Sequence, residues 1–324
     1  MSRRAALRRI AGIVSLAVAG LLLAGSPAAA WEPRKPVEFV IMAGAGGGAD
    51  IYARYISSQI EKNRLAPVPF VPVNRAGGAG AVAMEYVKGK AGDPHVIMIT
   101  LSSFIMTPIE QKLPFNWKTY TPIALLALDH FFLWVHQESP WKTMEDFVRE
   151  ARTRSVTVSG TGTKQEDELI FAFFQQKAGM KPMKYVPFKG GGDVAASLVG
   201  RQVEATVNNP SEGLPFYPAR LRPLAVFADK RVRQFPDLPT MKERGFDIEY
   251  RMIRGIFGPP AMPREAQEYY VTLMKRVFDL PVFQKFLSDN VLDPTFMTGP
   301  EFVKWLEGYD AMHREVMTKA GWVK

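Results

Sequence analysis

The protein has 324 residues, enough for two domains or one large one, and it combines 47% hydrophobic with 23% charged residues. This ordinary globular composition excludes a collagen-like, coiled-coil or disordered chain. The absence of cysteine excludes disulfide scaffolds and thiolate metal sites, and four histidines without ligand spacing predict no metal centre. The net charge of +9 comes from scattered basic residues, which argues against a nucleic-acid partner and favours attraction of a small anion.

The first thirty residues have the pattern of a cleaved export signal. Arginines at positions 3, 4, 8 and 9 precede an uncharged apolar run over 10–24, a Gly-Ser-Pro break and three alanines. This pattern predicts cleavage after about Ala30 and a periplasmic mature protein. An uncleaved membrane anchor is the weaker alternative, because an anchor needs roughly 18 apolar residues. Arg3 and Arg4 also resemble a twin-arginine signal, but we favour the Sec route because two arginines are an ordinary basic head.

The first third of the mature chain alternates strand and helix patterns. Residues 37–42 form a buried-strand candidate, followed by glycines and then by a helical apolar face between Ile51 and Ile60. Next come an extended segment at 68–73, a helix at 80–88 and a strand at 95–101. This β-loop-α order predicts a mostly parallel sheet covered by helices on both faces.

A second series of strands and helices occupies residues 131–228. Strands are predicted at 131–135, 155–159, 184–187, 203–207 and 222–228, and helices at 143–152, 166–178 and from about 193 to 200. After a charged, proline-bearing segment at 229–247, an extended stretch at 253–257 leads to two amphipathic helices. The apolar stripes of these helices, around Leu273 and Leu306, are predicted to pack in the core.

Four glycine-rich loops stand immediately before predicted helices, at 44–50, 74–80, 159–163 and 190–193. Glycine lets the backbone approach a ligand closely, and free N–H groups at a helix N-terminus favour an anion. Ligands of open α/β sheets bind at the carboxyl ends of strands, where these loops lie. Any one loop could serve only a tight turn, but four together predict a site for a carboxylate or phosphate. Asp50 and Asp193, at loop–helix junctions, either cap their helices or accept hydrogen bonds from the ligand.

The first loop also matches a dinucleotide-binding fingerprint. Gly44, Gly46 and Ala49 have the G-x-G-x-x-A spacing, yet no acid stands between Lys62 and Met84 to hold a ribose. The sequence has no G-x-S-x-G, H-E-x-x-H or P-loop lysine motif, so we predict neither an enzyme nor a cofactor. An exported nucleotide-dependent oxidoreductase remains the alternative.

Six motifs, in this order, resemble one family over about residues 36–321. The segments are 40–50 (V-I-M-A-G-A-G-G-G-A-D), 74–80 (N-R-A-G-G-A-G), 187–192 (P-F-K-G-G-G), 199–204 (V-G-R-Q-V-E), 235–240 (F-P-D-L-P-T) and 299–302 (G-P-E-F). They are similar to motifs of the extracytoplasmic solute-binding proteins of tripartite tricarboxylate transporters, the Bug family. The resemblance implies a two-lobed α/β clamp like that of periplasmic binding proteins, in which each lobe is a mixed, mostly parallel sheet flanked by helices.

The resemblance also implies how the clamp is built and used. Lobe 1 would comprise residues 31–129 and 251–324, lobe 2 would comprise 130–250, and a small organic carboxylate would be held between them. The expected function is capture of that ligand and its delivery to the membrane components of the transporter, by a protein expected to be a monomer. A sensory protein that uses the same clamp to serve a membrane kinase is a further alternative.

The residues expected to contact the ligand come from the loops that the resemblance identifies and from polar residues near strand ends. They are Ala45, Gly46, Gly47, Gly48, Asp50, Ser102, Ser103, Ser159, Thr161, Gly162, Thr163, Lys164, Lys189, Gly190, Asn208 and Asn209. Many would act through main-chain N–H groups, whereas Lys189 would offer charge. We expect no catalytic residue among them.

The chain departs from the family pattern beside its second ligand loop, 159–164. Many members of the family have a histidine three residues after the Ser or Thr of that loop, but here the acids Glu166 and Asp167 stand in this region. An acid would repel a carboxylate ligand unless it faces away, pairs with Lys164 or binds a cationic group on the ligand. The sequence therefore leaves the identity of the ligand open.

Overall fold

The structure is a computed structural model that describes residues 31–323. The predicted signal over 1–30 therefore lies outside the described residues. Trp31 and Glu32 carry no helix or strand, and the chain from Pro33 onward forms one compact unit. Within residues 31–323, every helix is too short or too polar to span a lipid bilayer.

The strands of the described residues, in chain order, are β1 (Val37–Ile41), β2 (Phe70–Asn74), β3 (Val96–Ile99), β4 (Thr121–Asp129), β5 (Phe132–His136), β6 (Thr157–Thr161), β7 (Lys184–Phe188), β8 (Ala205–Asn208), β9 (Leu221–Val226), β10 (Met252–Gly258) and β11 (Leu292–Met297). The α-helices are α1 (Gly48–Lys62), α2 (Ala81–Lys88), α3 (Ser103–Glu110), α4 (Met144–Thr153), α5 (Glu166–Ala178), α6 (Gly191–Val199), α7 (Pro210–Gly213), α8 (Arg264–Phe278), α9 (Pro281–Asp289) and α10 (Gly299–Lys319).

The first sheet has the strand order β11-β4-β10-β3-β1-β2. Strand β1 lies between β2 and β3 and is parallel to both, with Ile41 opposite Asn74 and Ile99. Strand β10 pairs antiparallel with β3 and β4, and β11 pairs antiparallel with β4. Phe39, Val40 and Ile41 are completely buried, as expected for a central strand that is covered on both faces.

The second sheet has the strand order β7-β6-β8-β5-β9. Strand β6 is parallel to β7 and β8, whereas β5 is antiparallel to β8 and β9. Phe132 and Trp134 of β5 are fully buried, and Phe147 of α4 stacks on Phe174 of α5 with ring centroids 5.9 Å apart. Both sheets are mixed and flanked by helices, so the predicted two-lobed α/β clamp is confirmed. The expected parallel majority is not found, because three of the five strand pairings in the first sheet and two of the four in the second are antiparallel.

The chain changes sheets between β4 and β5. The sequence predicts crossing strands between the lobes near 128–135 and near 250–257. In the structure β4 ends in the first sheet at Asp129 and β5 starts in the second at Phe132, while β10 lies wholly in the first sheet. The sequence patterns also missed β4, β11, α3, α7 and α9. Strand β11 lies at a sheet edge and contains Pro294, and α3 contains Pro108, so each carries a residue that weakens its local pattern.

Candidate functional site

A cavity of about 530 Å³ lies where the carboxyl ends of parallel strands from the two sheets meet. We call it the cleft cavity. Its wall on the side of the first sheet follows β1, β2 and β3 and contains Met42, Ala43, Gly77, Gly78, Ala79, Gly80, Leu101, Ser103, Glu110 and Gln111. Its wall on the side of the second sheet is formed by residues 161–165, 188 and 189. This is the end of the strands at which open α/β sheets place their ligands.

Six of the predicted ligand-contact residues line the cleft cavity, namely Ser103, Thr161, Gly162, Thr163, Lys164 and Lys189. Ser103 is the first residue of α3, so its N–H lies at the positive end of that helix. The N–H groups of Ser103 and Thr163 have no hydrogen-bond acceptor within residues 31–323. The cavity thus offers a main-chain donor from each sheet.

The two lysines of the cleft cavity differ in their partners. The Lys164 ammonium donates to Glu110 Oε1 at 2.8 Å. This bond links the loop after β6 of the second sheet to α3, which follows β3 of the first sheet. It also raises the pKa of Lys164. Within residues 31–323, Lys164 forms an ion pair with Glu110 and none with Glu166 or Asp167. Lys189 is exposed and has no ion-pair partner in the described part of the chain, so its charge is available to an anion.

The first glycine loop contacts the loop before α6 directly instead of lining the cavity. Gly44 N–H donates to the Lys189 carbonyl at 3.3 Å. A Cβ atom on Gly190 would lie 3.0 Å from the Gly44 nitrogen and 3.1 Å from its Cα, and one on Gly192 would lie 3.0 Å from the Ala45 carbonyl oxygen. Only glycine allows two backbones to approach this closely, so the first glycine loop and the loop before α6 are in direct contact.

Two N–H groups of the first loop are bonded within the protein. The Gly46 N–H donates to Asp50 Oδ2 at 3.0 Å. The Gly48 N–H donates to Glu212 Oε1 at 2.8 Å, and this bond joins α1, which follows β1 of the first sheet, to α7, which follows β8 of the second. Asp50 also accepts from Arg54 Nε at 2.8 Å and from Asn74 Nδ2 at 2.9 Å. In this structure Asp50 therefore holds the loop in shape.

The second loop is shaped by the acids at the start of α5. Asp167 Oδ2 accepts from Thr161 N–H at 2.5 Å, and Glu168 Oε2 accepts from Lys164 N–H at 2.5 Å. Gly162 N–H donates to the Phe188 carbonyl at 2.8 Å, which joins the loop to β7. These bonds present Thr163 to the cleft cavity.

Two predicted serines lie behind the cavity wall. Ser102 is buried, and its hydroxyl is 2.6 Å from the Tyr309 hydroxyl of α10. Ser159 is also buried, and its hydroxyl is 3.1 Å from that of Ser197 on α6. Both therefore hold helices against their sheets in this structure.

A group of buried ionisable side chains, which we call the acid cluster, lies between the sheets. It consists of Asp129, Glu166, Asp167, Glu212 and Arg254, each no more than 7% exposed. Arg254 of β10 donates to Asp129 Oδ2 through both Nε, at 3.0 Å, and Nη2. Glu212, at the end of α7, binds the N-terminus of α1 through Gly48. The cluster thus joins elements of both sheets.

The predicted residues Asn208 and Asn209 belong to the surroundings of the acid cluster. Asn208 Nδ2 donates to Glu212 Oε2 at 2.9 Å. Asn209 Nδ2 donates to the His130 carbonyl at 2.8 Å, and Asn209 Oδ1 accepts from Arg254 Nη2 at 3.2 Å. Neither residue lines the cleft cavity in this structure, although both were expected to offer amides to the ligand.

Burial weakens the acids of this cluster. It raises the pKa of Glu166 to about 7, and the nearby Glu212 charge adds to this shift while Arg254 opposes it. Burial likewise raises the pKa of Asp167, Asp129 and Glu212, because a carboxylate loses its hydration when it is enclosed. The closed cluster therefore favours bound protons over four negative charges around one guanidinium.

Glu212 and Arg254 were not predicted as site residues, although both carry a sequence signal. Asn209 and Glu212 have capping-box spacing, and the structure forms that box at the start of α7. Arg254 is the one charged residue of the otherwise apolar strand β10, and a charge in a fully buried strand requires a partner.

The family model described as "Tripartite tricarboxylate transporter family receptor" matches residues 53–321. The chain belongs to this family. The resemblance seen in the six motifs is therefore confirmed. A curated relative of this family member, the UPF0065 protein in the gbd 5′ region of Cupriavidus necator, is 26% identical over 332 residues, covering 100% of this chain and 99% of the relative.

Solved structures share the fold of this tripartite tricarboxylate transporter family member. The structure of periplasmic binding protein BugD matches with a TM-score of 0.85 at 20% identity, covering 90% of this chain and 99% of that chain. R. palustris Rpa4515 with adipate matches with a TM-score of 0.84 at 23% identity, covering 89% and 98%. At these identities the likeness shows the fold alone, that of a periplasmic binding protein.

Proposed function

We propose that this solute-binding family member captures a small organic carboxylate in the cleft cavity and delivers it to the membrane components of a tripartite transporter. The observation that carries the proposal is that Ser103 and Thr163, whose N–H groups have no acceptor within residues 31–323, line one cavity from the two sheets. Lys189 adds a positive charge to the same wall. The adipate in the Rpa4515 structure supports an organic acid as the class of ligand.

The clamp would close around the ligand by a hinge motion. We assign residues 31–129 and 251–324 to lobe 1 and residues 130–250 to lobe 2. This assignment is supported by the strand order, since the strands of each lobe belong to one sheet. Closure would bring the first glycine loop onto Gly190 and would form the bond between Gly48 and Glu212. Main-chain dipoles would then compensate the anion without transferring a proton or breaking a bond.

The alternative of a nucleotide-dependent oxidoreductase is less well supported. Asn74 at the end of β2 binds Asp50 and the Ala43 carbonyl, so this position offers no carboxylate to a ribose. The N–H groups of Gly46 and Gly48, which a pyrophosphate would need, are bonded to Asp50 and Glu212. We therefore propose a binding protein without catalysis, exported to the periplasm by the signal over 1–30, with a transporter or a sensory kinase as its membrane partner.

A thermal-shift screen of organic acids tests the proposal. A ligand that binds only the folded protein at a hundred times its dissociation constant stabilises it by about 2.7 kcal/mol. For about 290 folded residues with an unfolding entropy of about 2.1 cal/mol/K each, this stabilisation corresponds to a rise in melting temperature of roughly 4 °C. We expect at least one small carboxylate of a broad panel to give such a rise, whereas sodium chloride at the same ionic strength should not. If no acid of the panel raises the melting temperature above the salt control, the proposal is wrong.

A further inference from the structure

The chain returns from the second sheet to the first through Tyr250 and Arg251, which we call the return segment and which directly precede β10. The Tyr250 N–H donates at 3.0 Å to the carbonyl of Phe227, the residue after β9 of the second sheet. The Tyr250 ring packs edge-on against Phe131, which lies between β4 and β5, with ring centroids 5.6 Å apart. Because both connections between the sheets meet here, a hinge motion would turn about this part of the chain.

Helix α10 is bonded to the return segment through two tyrosine hydroxyls. The Tyr250 hydroxyl is 2.6 Å from His313 Nε2. The Tyr309 hydroxyl donates to the Arg251 carbonyl at 3.0 Å. His313 Nδ1 in turn is 2.7 Å from the Tyr309 carbonyl oxygen. His313 is completely buried, and Tyr250 and Tyr309 are 8% and 7% exposed, so little water reaches these bonds.

The direction of each bond in this network follows from the protons that are available. Burial lowers the pKa of His313 to about 4, so its imidazole is neutral at pH 7 and carries one N–H. A carbonyl oxygen can only accept, so the N–H is at Nδ1 and Nε2 accepts from Tyr250. The single proton of the Tyr309 hydroxyl goes to the Arg251 carbonyl. The Ser102 hydroxyl, 2.6 Å from the Tyr309 oxygen, therefore donates to it.

Ser102 connects this network to the cleft cavity. Ser102 is completely buried and precedes α3, and its hydroxyl makes no capping bond to that helix. Its carbonyl accepts from the Ile105 N–H at 2.9 Å and from the Met106 N–H at 3.0 Å. The same planar peptide unit carries the Ser103 N–H, which has no acceptor within residues 31–323. Fixing Ser102 therefore fixes the direction of the Ser103 N–H.

The stretch 100–102, which leads into α3, is also bonded to β10 directly. Thr100 donates to the Gly255 carbonyl through its N–H at 2.9 Å and through its hydroxyl at 3.0 Å. Thr100 is completely buried, as is Ser102. The stretch is thus bonded to β10 at one end and, through Tyr309, to the return segment at the other. A shift of the return segment would be transmitted to the N-terminus of α3.

The Tyr309 hydroxyl does more than the packing of its ring requires. The ring stacks on Trp305 of the same helix with centroids 4.6 Å apart, and phenylalanine would keep this contact. A buried hydroxyl costs free energy unless it is hydrogen-bonded. Its bonds with Ser102 and Arg251 are therefore what distinguishes tyrosine from phenylalanine at this position.

We propose that Tyr309 is a positioning residue for ligand binding, because its hydroxyl links the peptide between Ser102 and Ser103 to the return segment. Turning of the sheets and placement of the Ser103 N–H would then occur together. This inference rests on the proposed function, since it assumes that an organic acid binds the Ser103 N–H. Tyr309 itself does not line the cleft cavity, so it acts through Ser102.

Calorimetric titration of Tyr309→Phe tests this role. Succinate, adipate and citrate serve as probes, and the one that binds the wild type most tightly is used for the variants. The substitution keeps the ring and the main-chain carbonyl that binds His313, whereas the bonds with Ser102 and Arg251 are lost. We expect binding to weaken about threefold to tenfold, the range given by the loss of one neutral hydrogen bond. Ser102→Ala removes the same bond from the other side and should weaken binding by a similar factor.

The double variant distinguishes a shared role from two independent ones. If Ser102 and Tyr309 act through the bond between them, Ser102→Ala combined with Tyr309→Phe should weaken binding by no more than about twice the larger single loss. Independent effects would multiply and weaken binding roughly tenfold to a hundredfold.

Tyr120→Phe is the matched control for the loss of a buried hydroxyl. The Tyr120 hydroxyl donates to the Met84 carbonyl at 2.8 Å, and Tyr120 is 3% exposed and does not line the cleft cavity. Urea denaturation of the ligand-free variants should show a similar loss of stability for Tyr120→Phe and Tyr309→Phe. Tyr120→Phe should keep the wild-type affinity, which Tyr309→Phe should not.

The outcomes separate this inference from the proposed function. Wild-type affinity in Tyr309→Phe or in Ser102→Ala, or multiplied losses in the double variant, would overturn the role of Tyr309 while carboxylate binding stands. An equal loss of affinity in Tyr120→Phe would overturn it as well. Failure of the wild type to bind any of the three acids would overturn both proposals. Ser102→Ala, which leaves Tyr309 in place, decides the matter if Tyr309→Phe does not fold.

Discussion

Gly190→Val is expected to weaken ligand binding by about tenfold to a hundredfold, because overpacking of a close contact costs about 1–3 kcal/mol. A Cβ atom at Gly190 would lie 3.0 Å from the Gly44 nitrogen and 3.1 Å from its Cα. These are backbone atoms, which cannot move aside as the end of a side chain can. The two valine methyl groups would increase the overlap, so the loops would be held apart and the clamp could not close fully.

Calorimetric titration with the acid that stabilises the wild type most measures this loss. The unfolding free energy of the ligand-free protein should change less, because an open clamp has room for the valine. Gly308→Val on α10 is the matched control, since a Cβ atom there meets nothing within 4 Å. Wild-type affinity in Gly190→Val would show that the contact between the glycine loops plays no part in closure.

Arg254→Met is expected to lower the unfolding free energy by about 3–5 kcal/mol, the usual cost of removing one partner of a buried ion pair. Arg254 and Asp129 are both 1% exposed, so the carboxylate left behind cannot be solvated. Glu166 and Glu212 would also lose the guanidinium that opposes the rise in their pKa. The loss should therefore be at the upper end of the range.

Urea denaturation of the single and double variants tests this assignment. Arg254→Met combined with Asp129→Leu should recover most of the lost stability, because an apolar pair of similar volume often replaces a buried ion pair without cost. Arg264→Met, which removes an exposed cation paired with Glu268, should change stability little. Equal stability of Arg254→Met and the wild type would contradict the proposed importance of this pair.

Local sequence patterns predicted the parallel centres of both sheets. Strands β1 and β2 are each followed by loop and helix signals, and this order predicts the parallel pairing of β1 with β2 and β3. The patterns could not separate β4 from β5, because both strands are buried and apolar and the chain changes sheets between them at His130 and Phe131. Which sheet a buried strand joins is decided by tertiary contacts that no local window contains.

The sequence predicted which loops form the candidate site, but it did not predict the contacts that these loops make. The glycines before α1 and α6 were recognisable, but their mutual contact joins segments about 140 residues apart, as the bond from Gly44 to Lys189 shows. Likewise, Gly48 and Glu212 are separated by 164 residues. The role of an N–H group depends on such partners, which explains why Gly46 and Gly48 are bonded within the protein while Ser103 and Thr163 face the cavity.

The acids beside the second loop illustrate what the structure adds to a family resemblance. Of the three possibilities that the sequence left open for Glu166 and Asp167, pairing with Lys164 is not seen, since the ion pair of Lys164 is with Glu110. Asp167 turns back to the Thr161 N–H. Glu166 is buried, and its Oε2 has no hydrogen-bond partner within residues 31–323.

A crystal structure with the most stabilising acid bound is the most direct test of how this protein holds its ligand. We predict that a carboxylate of the ligand lies in the cleft cavity, within about 2.7–3.2 Å of the Ser103 nitrogen on one side and the Thr163 nitrogen on the other. A ligand lodged elsewhere, or one whose carboxylates touch no main-chain nitrogen from either sheet, would contradict this account.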